Sequence, residues 1–440
     1  MLRQRDKACG ADIHKKTIVA TILSADGTKV EGEFGTIVSE LIRFKEWLKE
    51  NDCNLVAVES TGTFWQPIYS VLEGSVEVIV ANPYMIKHIP GRKTDKVDSN
   101  WIAELCLKDM IEPSRIFSKE DRELRRLTRA RESLGKIMTQ LKNRIHKDLD
   151  SSHIKLSSVI SDIFGKSGMH ILMGLLNGQN LDAIIEGIPS GQVKKKADQL
   201  KEAIHNNLDL TQVILIESSL NLIRAVKEKI DMIEAEIASR FTPRKEDLEI
   251  AMSIPGIDFV SGATVLAEIG NYQDFSSPEK MAAYFGIVPS VNQSAGKLHT
   301  GSITKHGSKH LRWILVQIAN AASKKRGSKL SKYYLRIKAK SGHNVAIVAL
   351  ARKILCILHH LLMKREKYVE DDGSSKSKSK KNYRTASPKV MDIQEMIDVI
   401  IQCGYEVRIS GTSGLKGNIE ESGLKQSRNS GRNFERGACG

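Results

Sequence analysis

The chain is short of thiols and of long apolar runs. Its six cysteines, Cys9, Cys53, Cys106, Cys356, Cys403 and Cys439, are scattered through 440 residues with no paired C-x-x-C and no disulfide-like spacing. That argues against a cysteine-based zinc site or a disulfide framework and leaves reduced structural thiols. No uninterrupted apolar stretch reaches the roughly 20 residues that span a bilayer. The opening Met-Leu-Arg-Gln-Arg-Asp-Lys has none of the apolar core of a secretory signal. The expectation is therefore a cytoplasmic protein with no membrane partner.

What is present is positive charge. Lys and Arg number 67 against 52 Asp and Glu, a formal net charge of +15 and a pI near 9.4, so polyanions are attracted to this protein. Its length suits about two to four domains.

Against that background, four acids in the first hundred residues stand out. Asp12 lies in an apolar, strand-like run from Cys9 to Ile22, and Glu59 ends a second run, Leu55-Val-Ala-Val-Glu59, before the turn former Thr61-Gly62. Asp95 and Asp98 are three apart at the head of a helix predicted over 94–108, so they share one face. Four acids gathered at a sheet edge repel one another unless cations neutralise them. Their oxygens are the hard ligands that Mg²⁺ or Mn²⁺ prefers. Two such ions held about 4 Å apart cleave phosphodiesters. An acidic pocket in a basic chain points to metal-dependent chemistry on nucleic acid.

The order of elements gives four regions. Residues 1–117 alternate strand-like and helix-like runs, the pattern of an α/β layered domain. Residues 118–250 are long charged helices; there Ile216, Leu220, Ile223, Val226, Ile230, Ile233 and Ile237 recur at steps of three or four, as in a helical hairpin or coiled coil. Packing of that stripe within one subunit and between subunits are both open. Residues 251–368 begin with Met252-Ser-Ile-Pro-Gly-Ile257, similar to a helix-hairpin-helix whose amides hold a phosphate. Residues 369–440 are a Ser/Lys-rich linker and a Gly/Ser/Asn-rich tail expected to be largely disordered.

Asp12-Ile-His-Lys15, Glu59-Ser-Thr-Gly62 and Lys93-Thr-Asp-Lys-Val-Asp98 resemble the N-terminal Asp-Glu-Asp-Asp domain of the insertion-sequence one-ten family of transposases, to which the pilin-gene invertase Piv is related. Ile254-Pro-Gly-Ile257, Ala267-Glu-Ile-Gly270, Ala283-Tyr-Phe-Gly-Ile-Val-Pro289, Gln293-Ser294, Gly301-Ser-Ile-Thr-Lys-His-Gly307, Leu311-Arg312 and Ala349-Leu-Ala-Arg-Lys353 resemble its second domain, in the expected order. Ser99 departs from the usual alanine, and Trp101 is bulkier than expected.

The resemblance implies an α/β RuvC-like (RNase-H-type) N-terminal domain, a helical coiled-coil linker and a mainly α C-terminal transposase domain. It implies a prokaryotic, nucleoid-associated recombinase that cuts and rejoins donor and target DNA, guided by a non-coding bridge RNA, as a homo-oligomer of two or four subunits. Asp12, Glu59, Asp95 and Asp98 then bind Mg²⁺. A serine of the second domain attacks DNA and forms a covalent phosphoserine link; carried onto this chain it is Ser294, with Ser290 and Ser302 as neighbouring alternatives. Lys297, Lys305 and Arg312 near that serine, His14 and Lys15 beside Asp12, and Arg125 and Arg129 on the basic helix are the expected nucleic-acid contacts. Two other readings are a RuvC-like junction nuclease that uses water, and a non-catalytic nucleic-acid-binding remnant of a transposon.

Overall fold

A computed structural model of the chain describes residues 5–60, 62–82, 95–205, 207–294 and 297–370. The chain forms two compact units that do not follow chain order. One comprises Met1–Arg126, Thr264–Ala319 and Ile347–Lys364; the other comprises Leu127–Ala263, Asn320–Ala346 and Arg365–Gly440.

In the first unit, β1 (Lys7–Ile13), β2 (Thr17–Ser24), β3 (Lys29–Gly35), β4 (Leu55–Glu59) and β5 (Glu77–Ala81) form a mixed sheet in the order β3-β2-β1-β4-β5. The first three strands are antiparallel, and β4 and β5 join them in parallel. The run from Cys9 to Ile22 is thus two strands. The exposed, polar His14-Lys-Lys16 makes the turn, closed by His14 N–H donating to the Thr17 carbonyl at 2.9 Å. Alternate residues face opposite layers. Cys9, Ala11, Val56 and Val58 pack with Phe44, Leu48, Ile68 and Leu72 of α1 (Val38–Glu50) and α2 (Trp65–Leu72). Ala8, Leu55, Ala57 and Ile79 pack with Ile102, Leu105 and Cys106 of α3 (Asp95–Leu107). Burial pushes the Cys9, Cys53 and Cys106 thiols up, that of Cys106 to about 12, as structural thiols require.

The second unit is helical. Ser118 accepts from the Asp121 amide at 3.1 Å and caps the start of α4 (Lys119–Ser151). A reciprocal Asp209/Gln212 capping box starts α5 (Leu210–Phe241). The stripe on α5 packs at its beginning within the same chain: Ile216 and Leu220 share a core with Ile145 and Leu149 of α4 and with five short helices between residues 156 and 203. Farther along, the Arg131 guanidinium meets Glu234 at 2.8 Å.

The helix-hairpin-helix-like segment is α6 (Lys245–Met252), a turn with Gly256 at φ 92°, and α7 (Phe259–Ile269). The amides of Ser253, Ile254, Ile257 and Asp258 all donate within the chain, so these four do not offer themselves to a phosphate. After α8 (Pro278–Tyr284), residues 289–303 form a two-stranded hairpin, β6 (Pro289–Ser294) and β7 (Lys297–Ile303). Helices α9 (Lys309–Lys324) and α10 (Lys329–Lys364) follow. The second half of α10 is long and apolar enough to cross a membrane by length and composition, but more than half of that window is buried inside the protein, including Leu350, Ile354, Leu355 and Leu358.

Candidate active site

Parallel pairing sets Ala11 opposite Val58, so the next residues, Asp12 and Glu59, come level on one face at the carboxyl ends of neighbouring strands. That edge is where open α/β sheets bind ligands. Asp12 is 8% exposed and Glu59 half-buried. The His14 ring nitrogen Nε2 lies 3.2 Å from the Asp12 carboxylate, and Lys15 follows it, exposed, in the turn.

Helix α3 covers the same face, and a glycine lets it in. A Cβ on Gly10 would lie 2.1 Å from the Ser99 carbonyl oxygen and 2.3 Å from the Ala103 nitrogen, so the helix backbone rests directly on β1. From Ser99 the helix descends toward Ala8, Leu55 and Cys106, which leaves its first turn, with Asp95 and Asp98, at the Asp12–Glu59 end. Asp98 is half-buried; the Asp95 side chain lies outside the described residues. Among the described residues no three His, Cys, Asp or Glu stand close enough together to hold a metal. The donors fit a hard divalent cation in kind: two level strand-end carboxylates and a third on the helix above, with Asp95 one turn earlier.

Ser99 has a specific partner. Its hydroxyl lies 2.8 Å from that of Thr21, and both residues are fully buried. Where the resemblance leads one to expect alanine, this chain has a hydroxyl pair joining α3 to β2. We expect Ser99→Ala or Thr21→Val alone to cost about 1–2 kcal/mol of stability, and the double substitution T21V/S99A less than the sum. Urea denaturation of the four proteins checks this; strictly additive losses would refute the pairing.

Ser294 ends β6 opposite Lys297, the first residue of β7. Residues 295 and 296 between them, and the side chains of residues 292–300, lie outside the described residues. The alternatives differ in setting: Ser290 is half-buried, with its hydroxyl 2.5 Å from where a Cβ on Gly301 would be, and Ser302 is exposed on β7. The base of the hairpin is tightly built. A Cβ on Gly286 would meet the His306 backbone at 2.3 Å and one on Gly307 the Tyr284 oxygen at 2.4 Å; both glycines have positive φ. Nη1 of Arg312 donates to the carbonyls of Phe285 (3.1 Å), Gly307 (3.2 Å) and His306. Burial pulls the pKa of Arg312 below its usual value. This arginine, expected as a nucleic-acid contact, braces the hairpin with that nitrogen. Lys305 is exposed beside it with φ 60°.

Arg125, expected on a nucleic-acid face, is turned inward. Its Nη2 lies 3.2 Å from the Glu268 carboxylate and its guanidinium 3.8 Å from the centre of the Phe117 ring. Glu268 is fully buried and also accepts from the Ser308 hydroxyl at 2.7 Å. Ser308 in turn caps α9 through the Leu311 amide at 3.2 Å. Arg115 extends the seam, donating to the carbonyls of Ile269 (2.6 Å) and Asn271 (2.7 Å) and pairing with Asp274. Arg129 is half-buried on α4.

Gly10 and Glu268 were missed as site residues. A glycine inside a strand signals close backbone approach. A lone acid in the apolar run Phe259–Ile269 signals a buried partner.

Residues 9–154 match the DEDD transposase model of IS110 type, described as Transposase, and residues 248–335 match the model described as Transposase IS116/IS110/IS902 family. Together the two cover more than half of the chain. The transposase for insertion sequence element IS1111A of Coxiella burnetii is 33% identical over 126 residues, 28% of this chain and 35% of that protein. A probable family 20 transposase of Pseudomonas aeruginosa is 23% identical over 327 residues, 71% of this chain and 85% of that protein. The transposase for insertion sequence element IS1328 of Yersinia enterocolitica is 27% identical over 130 residues, 29% and 39% of the two. The matched stretch thus spans little more than a third of the first and third relatives.

Proposed function

Because the chain belongs to the IS116/IS110/IS902 family of transposases, we propose that it is a recombinase that cuts and rejoins DNA strands of an insertion sequence, using a metal-binding acidic edge and a serine nucleophile. The observation that carries this reading is the placement of Asp12 and Glu59, level on one face at the ends of parallel strands, beneath the first turn of the helix bearing Asp95 and Asp98. The sheet order, three antiparallel strands followed by two parallel ones, supports an RNase-H-type, RuvC-like reading of this domain.

In this reading the four carboxylates hold Mg²⁺ or Mn²⁺, which when bound lowers the cost of deprotonating an attacking hydroxyl and of releasing an ester oxygen. The Ser294 oxygen bonds to phosphorus, one strand oxygen leaves and takes up a proton, and rejoining reverses the exchange with a new strand. Support for a composite site comes from chain organisation: the acid-bearing sheet and the serine hairpin belong to one compact unit. Lys297, Lys305, His14 and Lys15 are the phosphate contacts. A bridge RNA chooses the sequences by pairing with donor and target, and a homo-oligomer brings two duplexes together.

A second reading, an acidic edge that cuts with water, draws on the fact that Asp12 and Glu59 come level at neighbouring strand ends without any contribution from the hairpin. It expects metal-dependent cleavage without strand transfer.

The test uses the full chain, RNA transcribed from the flanking DNA, donor and target duplexes, and Mg²⁺ or a chelator. Asp12→Asn is expected to lower strand exchange at least 100-fold while leaving DNA affinity within a few-fold. Exchange that is indifferent to both chelation and this substitution would end the metal-site reading.

A further inference from the structure

Between Glu279 and Glu366 there is no Asp or Glu, whereas seventeen Lys and Arg fall in that interval, two more than the net charge of the whole chain. Eight of them lie between Lys324 and Lys340, and every one is exposed. By contrast, α4 and α5 carry acids among their bases throughout.

The first half of α10 sorts these charges by face. Leu330, Ser331 and Tyr334 are buried, while Lys329, Lys332, Arg336 and Lys340, at steps of three and four, run along the opposite side. Eleven residue steps of helix make this stripe about 16 Å long. Both of its ends are fixed: Ser328 caps the helix through the Ser331 amide at 3.0 Å, and the Tyr334 hydroxyl bonds His343 Nδ1 at 2.8 Å across the break at Gly342. Glu370 reaches only the near end, accepting from the Lys329 amide at 2.9 Å and pairing with Lys325 at 3.1 Å. Among the described residues, Lys332, Arg336 and Lys340 have no carboxylate partner.

We propose that this stripe is a sequence-independent binding surface for the phosphate backbone of duplex DNA. One strand of a duplex carries a phosphate every 3.4 Å of axis, so about five lie alongside a 16 Å stripe of four cations. The stripe has no Asn or Gln, the side chains that read adenine edges. It has no exposed ring on which unpaired bases stack, since Tyr333 is half-buried and Tyr334 buried; single strands and RNA loops are bound through such rings. None of the proposed active-site residues takes part, so the inference stands independently of that site.

The test is the salt dependence of binding to a random-sequence DNA duplex of about 30 base pairs. K332Q/R336Q/K340Q is expected to weaken binding and to lower the slope of log affinity against log salt by about three, with an unchanged melting temperature. The control R224Q/K227Q/K229Q removes the same charge from α5, where Glu228 and Asp231 lie among those bases, and is expected to leave the slope nearly intact. An unchanged slope in the first variant, an equal fall in the control, or a fall seen only with a duplex RNA of the same length would each overturn the proposal.

Discussion

Gly10→Ala is expected to disable the protein even though it adds one methyl group. The new Cβ would stand 2.1 Å and 2.3 Å from backbone atoms of Ser99 and Ala103, and neither can turn aside as a side chain can. The helix Asp95–Leu107 must lift or the strand must bend, and overpacking of this kind costs about 1–3 kcal/mol or more. The functional loss should exceed the loss of stability, because the same helix carries Asp95 and Asp98 over Asp12 and Glu59. A displacement of about 1 Å in a catalytic constellation costs on the order of 100-fold in rate. Gly191→Ala is the control: a Cβ there meets nothing within 4 Å, and neither melting temperature nor strand exchange should change. Wild-type melting and activity in Gly10→Ala would mean that the helix does not rest on this strand.

Arg125→Met is expected to be strongly destabilising. Glu268 is fully buried beneath Arg125, and removing one partner of a buried pair costs about 3–5 kcal/mol because the other charge is left uncompensated. The double substitution R125M/E268Q should recover much of that loss, since it removes the stranded charge as well. A denaturation series on the singles and the double measures the coupling. DNA binding by the folded fraction should keep its salt slope. If Arg125 instead contacts a phosphate, Arg125→Met leaves stability near wild type and lowers the slope by about one.

Legibility in the sequence followed the range of the forces involved. Leu55–Glu59 matches its expected bounds, and the helix with Asp95 and Asp98 does so to within a residue at each end, because apolar spacing alone decides such segments. Lys29–Gly35 escaped notice: it is an edge strand with one deeply buried side chain, Phe34, and its Lys and Glu residues mimic a loop. The hairpin Pro289–Ile303 was hidden for a related reason, since its glycines and serines have the composition of a turn. Within the candidate site, the strand-end placement of Glu59 was readable from where its run stops, whereas Asp12 lay inside one expected run that the fold divides into two strands. The intramolecular contacts of Arg125 and Arg312 were not readable in this way, because the groups that orient an arginine are set by the fold. For Arg125 the partner lies 143 residues away, and for Arg312 it is a set of backbone carbonyls fixed only by the fold.

The most direct measurement is a search for a denaturation-resistant protein–DNA adduct when the wild-type chain, its flanking-DNA transcript, donor and target DNA and Mg²⁺ are combined. The account expects an adduct that disappears in Ser294→Ala and in Asp12→Ala while both variants still bind DNA. An adduct that survives Ser294→Ala, or Mg²⁺-dependent cleavage with no adduct at all, would contradict it.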